Sequence, residues 1–254
     1  MSITTPSAMH LVCLMAGVSS RLYPLTERSH KALLPVNDRR LLDYQLETFR
    51  KAGMTSATFV LGHGAPEMER CLGDALLGQS YRTTYNPEYS EKNLDWSAYL
   101  ALTNHSGPLI YYEGDLLVPP SLLAEVNANP SDICLAIDST MRSPRVDLIV
   151  TAHQGNVRNL LLYEHGSAPP TPNPSVIGEL VCLLKLSERG RKVVTDQLAS
   201  QSFVGGIGFY DVLERSFDKV TTSFVDLRGR PWVEVDNVED LERARQLADD
   251  IVRS

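Results

Sequence analysis

Short apolar runs alternate with longer amphipathic stretches in the first half of this 254-residue chain. Short apolar runs are typical of buried strands, and apolar residues at helical spacing are typical of helices packed on a sheet. The predicted elements are a strand at 10–15, a helix at 41–52, a strand at 57–61, a helix at 67–77, a strand at 81–85, then a loop and a helix, and a strand at 109–112. This order predicts an α/β, Rossmann-like fold with a mostly parallel sheet and helices on both faces.

The second half of the chain is richer in strands. The patterns predict strands at 133–137, 147–152, 156–163, 181–186 and 232–235, and helices at 187–199 and 238–252. Four prolines within 168–174 predict a loop. Because no stretch has the composition of a linker, we expect one domain over 1–254 with a strand-rich insertion after about residue 138.

The charge of the chain is acidic overall and unevenly placed. The formal net charge is −7, which disfavours sequence-independent binding of nucleic acid. Residues 21–40 nevertheless carry three more positive than negative charges, whereas residues 234–250 carry five more negative than positive charges. The basic segment suggests a localised anion site, and ordinary scatter of surface charge is the alternative.

The N-terminal sequence and the cysteines indicate the compartment. Residues 1–9 hold no Lys or Arg, and the apolar run 11–16 is short for a secretory signal. No stretch approaches the ~20 apolar residues of a membrane helix. The four cysteines are far apart in sequence and are expected to be buried, reduced thiols: Cys13, Cys71, Cys134 and Cys182. We therefore expect a cytoplasmic protein without a membrane or nucleic-acid partner.

The loop after the first predicted strand carries groups suited to phosphate. Ala16 and Gly17 allow the backbone to approach phosphates closely. Arg21 offers a planar set of donors, and Lys31 is a compact second cation that would stabilise charge at a phosphorus under attack. The predicted phosphate-binding residues are Ala16, Gly17, Ser19, Ser20 and Arg21, and the predicted catalytic cations are Arg21 and Lys31.

Two carboxylates follow separate predicted strands. Asp115 comes after the strand at 109–112, and Asp236 after the strand at 232–235. Ligands of open α/β sheets bind beyond the carboxyl ends of strands, and Mg²⁺ commonly uses one or two carboxylates together with substrate phosphates. The pair is therefore a candidate Mg²⁺ site, with Glu113 a weaker candidate set further back. The alternatives are a turn residue for Asp115 and a helix N-cap for Asp236.

The run A-G-x-x-S-R-L-x-P-L-T-x4-K-x-L-x-x-V at 16–36 resembles the signature of the nucleotidyltransferases that make NDP-sugars and CDP-alcohols. That signature normally has a second glycine where this chain has Ser19. The resemblance implies the nucleotidyltransferase fold. It also implies that Asp115 and Asp236 bind the catalytic metal, because the family has an Asp at each of these strand ends.

Residues 86–101 resemble one branch of that family. Thymidylyl- and uridylyltransferases commonly carry a Gln and a P-x-G-T-A run here, and this chain has neither. It is similar instead to the N-x-x-Y-x3-N-N-x-x-S-L run of phosphocholine and phosphonate cytidylyltransferases, matching at Asn86, Tyr89, Asn93 and Ser97 and departing at Leu94.

This resemblance suggests which residues meet the two substrates. Asn93 and Ser97 are candidate nucleotide contacts, and Asn93, Trp96 and Glu179 are candidate contacts for the acceptor. The alternative for Asn93 and Ser97 is a turn followed by a helix N-cap. Trp96 would otherwise be an aromatic core residue, and Glu179 a charge paired within a strand.

The predicted reaction is transfer of a nucleotidyl group, CMP from CTP, to a phosphate or phosphonate oxygen of a small acceptor. The acceptor would be phosphocholine or an aminoalkylphosphonate such as 2-aminoethylphosphonate, with Mg²⁺ as cofactor and pyrophosphate released. Two alternatives stay open: a sugar-1-phosphate nucleotidyltransferase and a non-catalytic, nucleotide-binding regulatory protein of the same fold.

Overall fold

The computed structural model describes residues 10–76, 80–92, 94–141, 148–162, 175–203 and 208–254. Two predictions lie outside these residues: the ligand contacts of Asn93 and the proline-rich loop at 168–174.

The secondary structure alternates in the first half, as the sequence predicts. The strands are β1 (His10–Met15), β2 (Pro35–Val36), β3 (Arg39–Arg40), β4 (Ser56–Leu61), β5 (Ser80–Tyr85), β6 (Leu109–Glu113), β7 (Leu116–Leu117), β8 (Ile133–Asp138), β9 (Leu148–His153), β10 (Asn156–Leu162), β11 (Val176–Leu186), β12 (Thr222–Asp226) and β13 (Val233–Glu234). The helices are α1 (Leu41–Lys51), α2 (Ala65–Ala75), α3 (Leu94–Thr103), α4 (Pro120–Ala128), α5 (Glu188–Ala199), α6 (Phe209–Glu214) and α7 (Val238–Arg253), with 3₁₀ turns at Ser20–Leu22 and Lys31–Leu33.

Nine strands of the described ranges form one sheet, with the order β10-β9-β11-β6-β1-β4-β5 and with β8 joining β11 to β12. The strands β6, β1, β4 and β5 pair in parallel. The long β11 pairs antiparallel with β6, β8 and β9, and β9 pairs antiparallel with β10. The α/β fold class is confirmed, and every antiparallel pair of this sheet includes a strand of the strand-rich second half.

The sequence patterns did not predict every element, and helix α4, helix α6 and strand β12 are among those they missed. Helix α4 begins directly after Pro119 with Pro120 in its first turn, so its start reads as a turn in the sequence. Helix α6 is only six residues long, and β12 is half-buried without alternation of apolar and polar residues. Each of these elements is stabilised by tertiary packing, which the local sequence pattern does not reveal.

The central strand β1 divides the core into two layers. Every residue of β1 is buried, and alternate side chains point to opposite faces of a strand. Leu11 packs in the layer that includes α1 and α2 residues, whereas Val12 packs in the layer that includes α3 and α5 residues. Helices therefore cover both faces of the sheet, and the carboxyl end of β1 opens at one edge.

A third apolar cluster holds together the segments that carry the predicted site. Leu22 of the first loop, Val235 after β13 and Leu241 of α7 all pack in it, and each is essentially inaccessible to solvent. Burial of one such side chain contributes roughly 1.5–3 kcal/mol. The cluster therefore places the loop bearing Arg21 beside the segment bearing Asp236. None of the helices in the described part of the chain has the length and apolar composition needed to cross a membrane.

Candidate functional site

A cleft of about 310 Å³ lies beyond the carboxyl ends of β1 and β6. This is the edge of an open α/β sheet where ligands bind. Of the predicted site residues, the cleft is lined by Ala16, Gly17, Ser19, Ser20, Arg21, Lys31, Ser97, Asp115 and Asp236. The structure thus brings together residues that are up to 220 positions apart in the chain.

The first loop has an unusual backbone at Ser19. This residue has φ 56° and ψ 43°, in the left-handed region that favours glycine. The resembling signature has a glycine at this position, and the structure supplies the physical reason for it. Ser19 is held by its carbonyl oxygen, which accepts from Leu22 N (3.0 Å) and from Thr26 Oγ1 (2.8 Å).

A second backbone position, Gly114, determines how closely β6 approaches β1. A Cβ atom at Gly114 would lie 2.5 Å from the Leu14 carbonyl oxygen and 2.6 Å from Met15 Cγ. Any larger residue would push the turn away from β1. The close approach places Asp115, the next residue, against the first loop.

Lys31 links the two predicted metal-binding carboxylates. Its ammonium nitrogen lies 2.6 Å from Asp115 Oδ2 and 3.0 Å from Asp236 Oδ1. Burial by itself would lower the pKa of Lys31, but the two carboxylates raise it above its usual value. Lys31 is therefore charged, and its ammonium pairs with Asp115 and Asp236 at the same time.

Arg21 adds a second cation at the same place. Arg21 Nη2 lies 2.8 Å from Asp236 Oδ2, and the Arg21 side chain is 55% exposed. Burial favours a higher pKa for Asp236, yet Lys31 and Arg21 bring it below its ordinary value. Asp236 is therefore an ionised carboxylate facing the cleft.

The alternative role of Asp236 as a helix cap does not hold. The N-cap of α7 is Asn237, whose side-chain oxygen accepts from Asp240 N at 3.0 Å. The side chain of Asp236 instead pairs with Arg21 and Lys31 in the cleft. At Asp115 one carboxylate oxygen bonds Lys31, and the buried Oδ1 has no hydrogen-bond partner within the described residues.

A second acidic group lies beside these carboxylates. One ligand atom each of Glu113, Cys182 and Glu234 lies within 4.8 Å of the others. Burial, with the charge of Asp115, raises the pKa of Glu113 to about 8, and the same two causes raise the pKa of Glu234 well above its usual range. Alternation along the strand makes Glu113 a candidate from the sequence alone. No sequence pattern predicts that Glu113 lies close to Cys182.

Two tyrosines complete the surroundings of Glu113. Tyr111 donates its hydroxyl to Glu113 Oε1 at 3.1 Å, and Tyr210 donates to the same oxygen. Tyr210 lies on α6, which the sequence pattern does not predict. The four cysteines are all buried and free, as expected.

The start of α3 forms another wall of the cleft. Ser97 lines this wall and accepts a hydrogen bond from Asn86 Nδ2 at 2.9 Å. Lys92 also lines it, with its ammonium 2.7 Å from Glu88 Oε1 and 3.9 Å from the centre of the Trp96 ring. Sequence reasoning missed Lys92, although its spacing from Glu88 is that of a helical ion pair.

Two predicted acceptor contacts are not part of the cleft lining. Trp96 packs against Tyr99 and Phe203, with ring centroids 5.6 Å and 4.8 Å apart. Glu179 is buried on β11, where it pairs in register with Asp138 of β8. Neither lines the cleft as the structure describes it, so their contact with an acceptor stays a prediction.

Residues 11–105 match the family model described as nucleotidyl transferase. The chain is 28% identical to a low-salt glycan biosynthesis nucleotidyltransferase of Haloferax volcanii, over 74% of this chain and 56% of that protein. It is 24% identical to a CMP-5'-(3-aminopropyl)phosphonate synthase of Streptomyces rubellomurinus, over 96% of this chain and 40% of that protein. It is 31% identical to a choline-phosphate cytidylyltransferase of Streptococcus pneumoniae, over 36% of this chain and 38% of that protein. The chain thus spans about two fifths to somewhat over half of the length of these relatives.

Solved structures share the fold over nearly the whole chain. An inositol-1-phosphate CTP transferase from T. maritima superposes with a TM-score of 0.77 at 19% identity, covering 97% of this chain and 98% of that one. A CTP:phosphocholine cytidylyltransferase from Streptococcus pneumoniae gives a TM-score of 0.71 at 15% identity, covering 95% and 99%. The resemblance drawn from residues 16–36 and the fold that it implies are confirmed.

Proposed function

With residues 11–105 assigned to the nucleotidyltransferase family, we propose that this protein transfers CMP from CTP to a phosphate or phosphonate oxygen of a small acceptor and releases pyrophosphate. The observation that carries the proposal is the ion cluster in the cleft. Lys31 lies between Asp115 and Asp236, and Arg21 contacts Asp236 from the solvent side. Cations and carboxylates at this edge of the sheet suit a polyphosphate with a bound metal.

The first loop would bind the triphosphate. The space beside Gly17 is open, since a Cβ atom there would meet no atom within 4 Å, and backbone amides of such a loop can approach phosphate oxygens. Arg21 is held only at the surface, so its guanidinium can turn from Asp236 to the departing phosphates. This requires little rearrangement of the buried part of the site.

Lys31 has the better position to act on the reacting phosphate. It is buried and charged, and a fixed charge in a water-poor site stabilises developing negative charge strongly. The acceptor oxygen forms a bond to the α-phosphorus while the bond from that phosphorus to the bridging oxygen of pyrophosphate breaks. Positioning and electrostatics therefore supply the rate enhancement.

Asp115 and Asp236 are suited to hold the Mg²⁺ ion. Both are carboxylates, and the Oδ1 atom of Asp115 is buried without a hydrogen-bond partner in the described part of the chain. When bound, Mg²⁺ would supply charge neutralisation on the phosphate oxygens. Lys31 contacts one oxygen of each carboxylate, Asp115 Oδ2 and Asp236 Oδ1, and so brings the two groups to the same place.

CTP and a phosphonate or phosphocholine acceptor are favoured by the sequence of 86–101 and by the relatives. A relative aligned over 96% of this chain is named a CMP-5'-(3-aminopropyl)phosphonate synthase, and another is named a choline-phosphate cytidylyltransferase. A sugar 1-phosphate is the second candidate acceptor, because 84 residues are 39% identical to a glucose-1-phosphate thymidylyltransferase of Mycobacterium tuberculosis.

The test is release of pyrophosphate by the purified protein with Mg²⁺. Each of CTP, UTP, dTTP, ATP and GTP is paired with phosphocholine, 2-aminoethylphosphonate or glucose 1-phosphate. We expect the fastest release with CTP and one of the first two acceptors, and a product in which CMP is joined to that acceptor. A preference for dTTP or UTP with glucose 1-phosphate would support the sugar-nucleotide alternative instead.

Absence of release with every pair would refute an enzymatic role on these substrates. Nucleotide binding in that case would support the regulatory alternative. The matched control is Asp196→Asn, which changes an exposed carboxylate on α5 and is expected to leave release unchanged.

A further inference from the structure

A buried hydrogen bond lies behind the α3 wall of the cleft. Asn86 follows β5 and is completely buried, and Ser97, on α3, is 5% exposed and lines the cleft. Asn86 Nδ2 lies 2.9 Å from Ser97 Oγ. A fully buried amide that contacts a cleft residue from behind can determine what that residue offers to a ligand.

The orientation of the Asn86 amide is fixed by a second hydrogen bond. Its Oδ1 atom accepts from the backbone N–H of Glu88 at 2.9 Å. Exchange of the amide oxygen and nitrogen would place the NH₂ group against another donor, which is unfavourable. The NH₂ group therefore faces Ser97, and the Ser97 oxygen is the acceptor in that contact.

The Ser97 hydroxyl is left with its proton directed elsewhere. A serine hydroxyl carries one donor and two acceptor positions, and Asn86 occupies one of the acceptor positions. No described residue accepts a hydrogen bond from Ser97, which is 5% exposed and lines the cleft. Ser97 therefore presents a donor to whatever occupies the cleft.

The place of Ser97 along the cleft indicates which part of a nucleotide it meets. Phosphates belong beside Arg21 and Lys31. Ser97 lies on the α3 wall with Tyr89, Leu94 and Lys92, whose ammonium is paired with Glu88. Gly62 holds this wall close to the first loop: a Cβ atom there would lie 2.7 Å from Tyr89 Cβ and 2.6 Å from the Ala16 carbonyl oxygen.

An aromatic and an aliphatic side chain on that wall suit the face of a nucleobase. A ribose hydroxyl can donate or accept a hydrogen bond, so a fixed donor at Ser97 would not discriminate between ligands by contacting the ribose. A base carbonyl oxygen only accepts, and the fixed donor of Ser97 complements it.

We infer that Asn86 is a positioning residue that fixes Ser97 as the hydrogen-bond donor to the O2 carbonyl of a pyrimidine base. This rests on the proposed function, since it assumes that the cleft binds the nucleotide. Asn86 itself does not line the cleft and acts through Ser97. Cytosine and uracil share the O2 carbonyl, so the contact selects pyrimidines without distinguishing CTP from UTP.

The first measurement is equilibrium binding of CTP and of 2-thio-CTP, in which sulfur replaces the O2 oxygen and accepts hydrogen bonds weakly. We expect the wild type to bind CTP about three- to tenfold more tightly than 2-thio-CTP. In Ser97→Ala the ratio of the two affinities should fall to nearly one. The matched control Ser106→Ala removes an exposed hydroxyl outside the cleft and should keep the wild-type preference.

The second measurement reverses the hydrogen bond without changing its shape. In Asn86→Asp one carboxylate oxygen still accepts from Glu88 N, while the other accepts from Ser97, so the Ser97 proton turns inward. We expect the preference for CTP over 2-thio-CTP to be lost as in Ser97→Ala, with no further loss in the double variant. Comparing the two nucleotides cancels the added charge, and Asn104→Asp adds the same charge at an exposed site.

A melting curve establishes that each variant is folded. If Asn86→Asp does not unfold cooperatively, Asn86→Ala replaces it, and a reduced preference is expected because the Ser97 hydroxyl is then free to rotate. A purely structural role of Asn86 would weaken binding of both nucleotides equally, which would overturn the inference. A different result would also overturn the inference. If Ser97→Ala still prefers CTP over 2-thio-CTP but no longer distinguishes CTP from 2'-deoxy-CTP, Ser97 contacts the ribose.

Failure of the inference is distinguishable from failure of the proposed function. If the wild type binds CTP and Ser97→Ala keeps the preference, only the inference is wrong. If the wild type binds UTP but not CTP, the cytidylyl proposal is wrong, and UTP with 2-thio-UTP tests the same O2 contact. If it binds neither pyrimidine nucleotide, both are wrong.

Discussion

The ammonium of Lys31 lies 2.6 Å from Asp115 Oδ2, although 84 positions separate the two residues in the chain. The same ammonium lies 3.0 Å from Asp236 Oδ1. One buried cation thus joins the first loop, the end of β6 and the segment before α7.

Removal of the Lys31 charge should reduce turnover strongly. In Lys31→Met the buried cation is lost while most of the side-chain volume remains, so we expect kcat to fall about 10²- to 10³-fold. The measurement is steady-state pyrophosphate release at saturating nucleotide. Lys192→Met changes an exposed lysine of α5 and should behave as the wild type; full activity in Lys31→Met would contradict the proposed role.

Activity should depend on Mg²⁺ through Asp115 and Asp236. We expect a chelator to abolish pyrophosphate release and Mg²⁺ to restore it, because neutralisation of phosphate charge is then lost and regained. In Asp236→Asn the Mg²⁺ concentration for half-maximal activity should rise at least tenfold, since one anionic ligand is missing. An unchanged Mg²⁺ requirement in this variant would show that Asp236 is not a ligand.

Ser19→Gly and Ser20→Gly should have different effects on stability. Ser19 has a left-handed backbone, where glycine avoids a cost of roughly 1 kcal/mol, so Ser19→Gly should leave the free energy of unfolding unchanged or raise it. Ser20 begins the following 3₁₀ turn, where added chain freedom should cost roughly 0.5–1 kcal/mol. Chemical denaturation of the two variants checks the difference, and equal losses would contradict it.

Replacement of the N-cap Asn237 should affect both stability and the site. Its side chain accepts from Asp240 N and donates to Asp240 Oδ2. Loss of an N-cap costs roughly 1 kcal/mol, so Asn237→Ala should lower the melting temperature. Because Asp236 is the preceding residue, this variant should also require more Mg²⁺, whereas Asn104→Ala at an exposed position should do neither.

His10 should make the stability of the fold depend on pH. Its ring stacks on His105 with centroids 4.4 Å apart and bonds the hydroxyls of Ser56 and Thr58. Burial, with the nearby His105 and Arg82, lowers the pKa of His10 to about 4. The unfolded chain therefore takes up a proton near pH 6.5, where the folded protein does not.

The sign of this dependence follows from the lowered pKa. The stabilisation is complete above about pH 6.5 and is lost as the pH falls toward 4, by on the order of 2–3 kcal/mol. Unfolding free energies at pH 7, 5.5 and 4.5 check this, and His10→Gln should decline less steeply. His153→Gln changes an exposed histidine and should follow the wild type; identical slopes for all three proteins would refute the assignment.

Local sequence determined much of the fold in the first half. The apolar run of β1 and the helical spacing of α1 predict their ends to within one residue, because both are stabilised by burial that follows the local period. The loop chemistry was equally local: Ala16, Gly17, Arg21 and Lys31 stand within 16 positions of one another, and their types indicate phosphate without knowledge of the fold.

Only the tertiary structure decided which charges meet. Pairing of β6 beside β1, allowed by Gly114, places Asp115 at Lys31, and packing of α7 in the third apolar cluster brings Asp236 to the same cation. The orientation of the Ser97 hydroxyl likewise depends on Asn86, across the gap between β5 and α3. A sequence specifies residue types and local periods, whereas distances between remote side chains result from how sheets and helices pack.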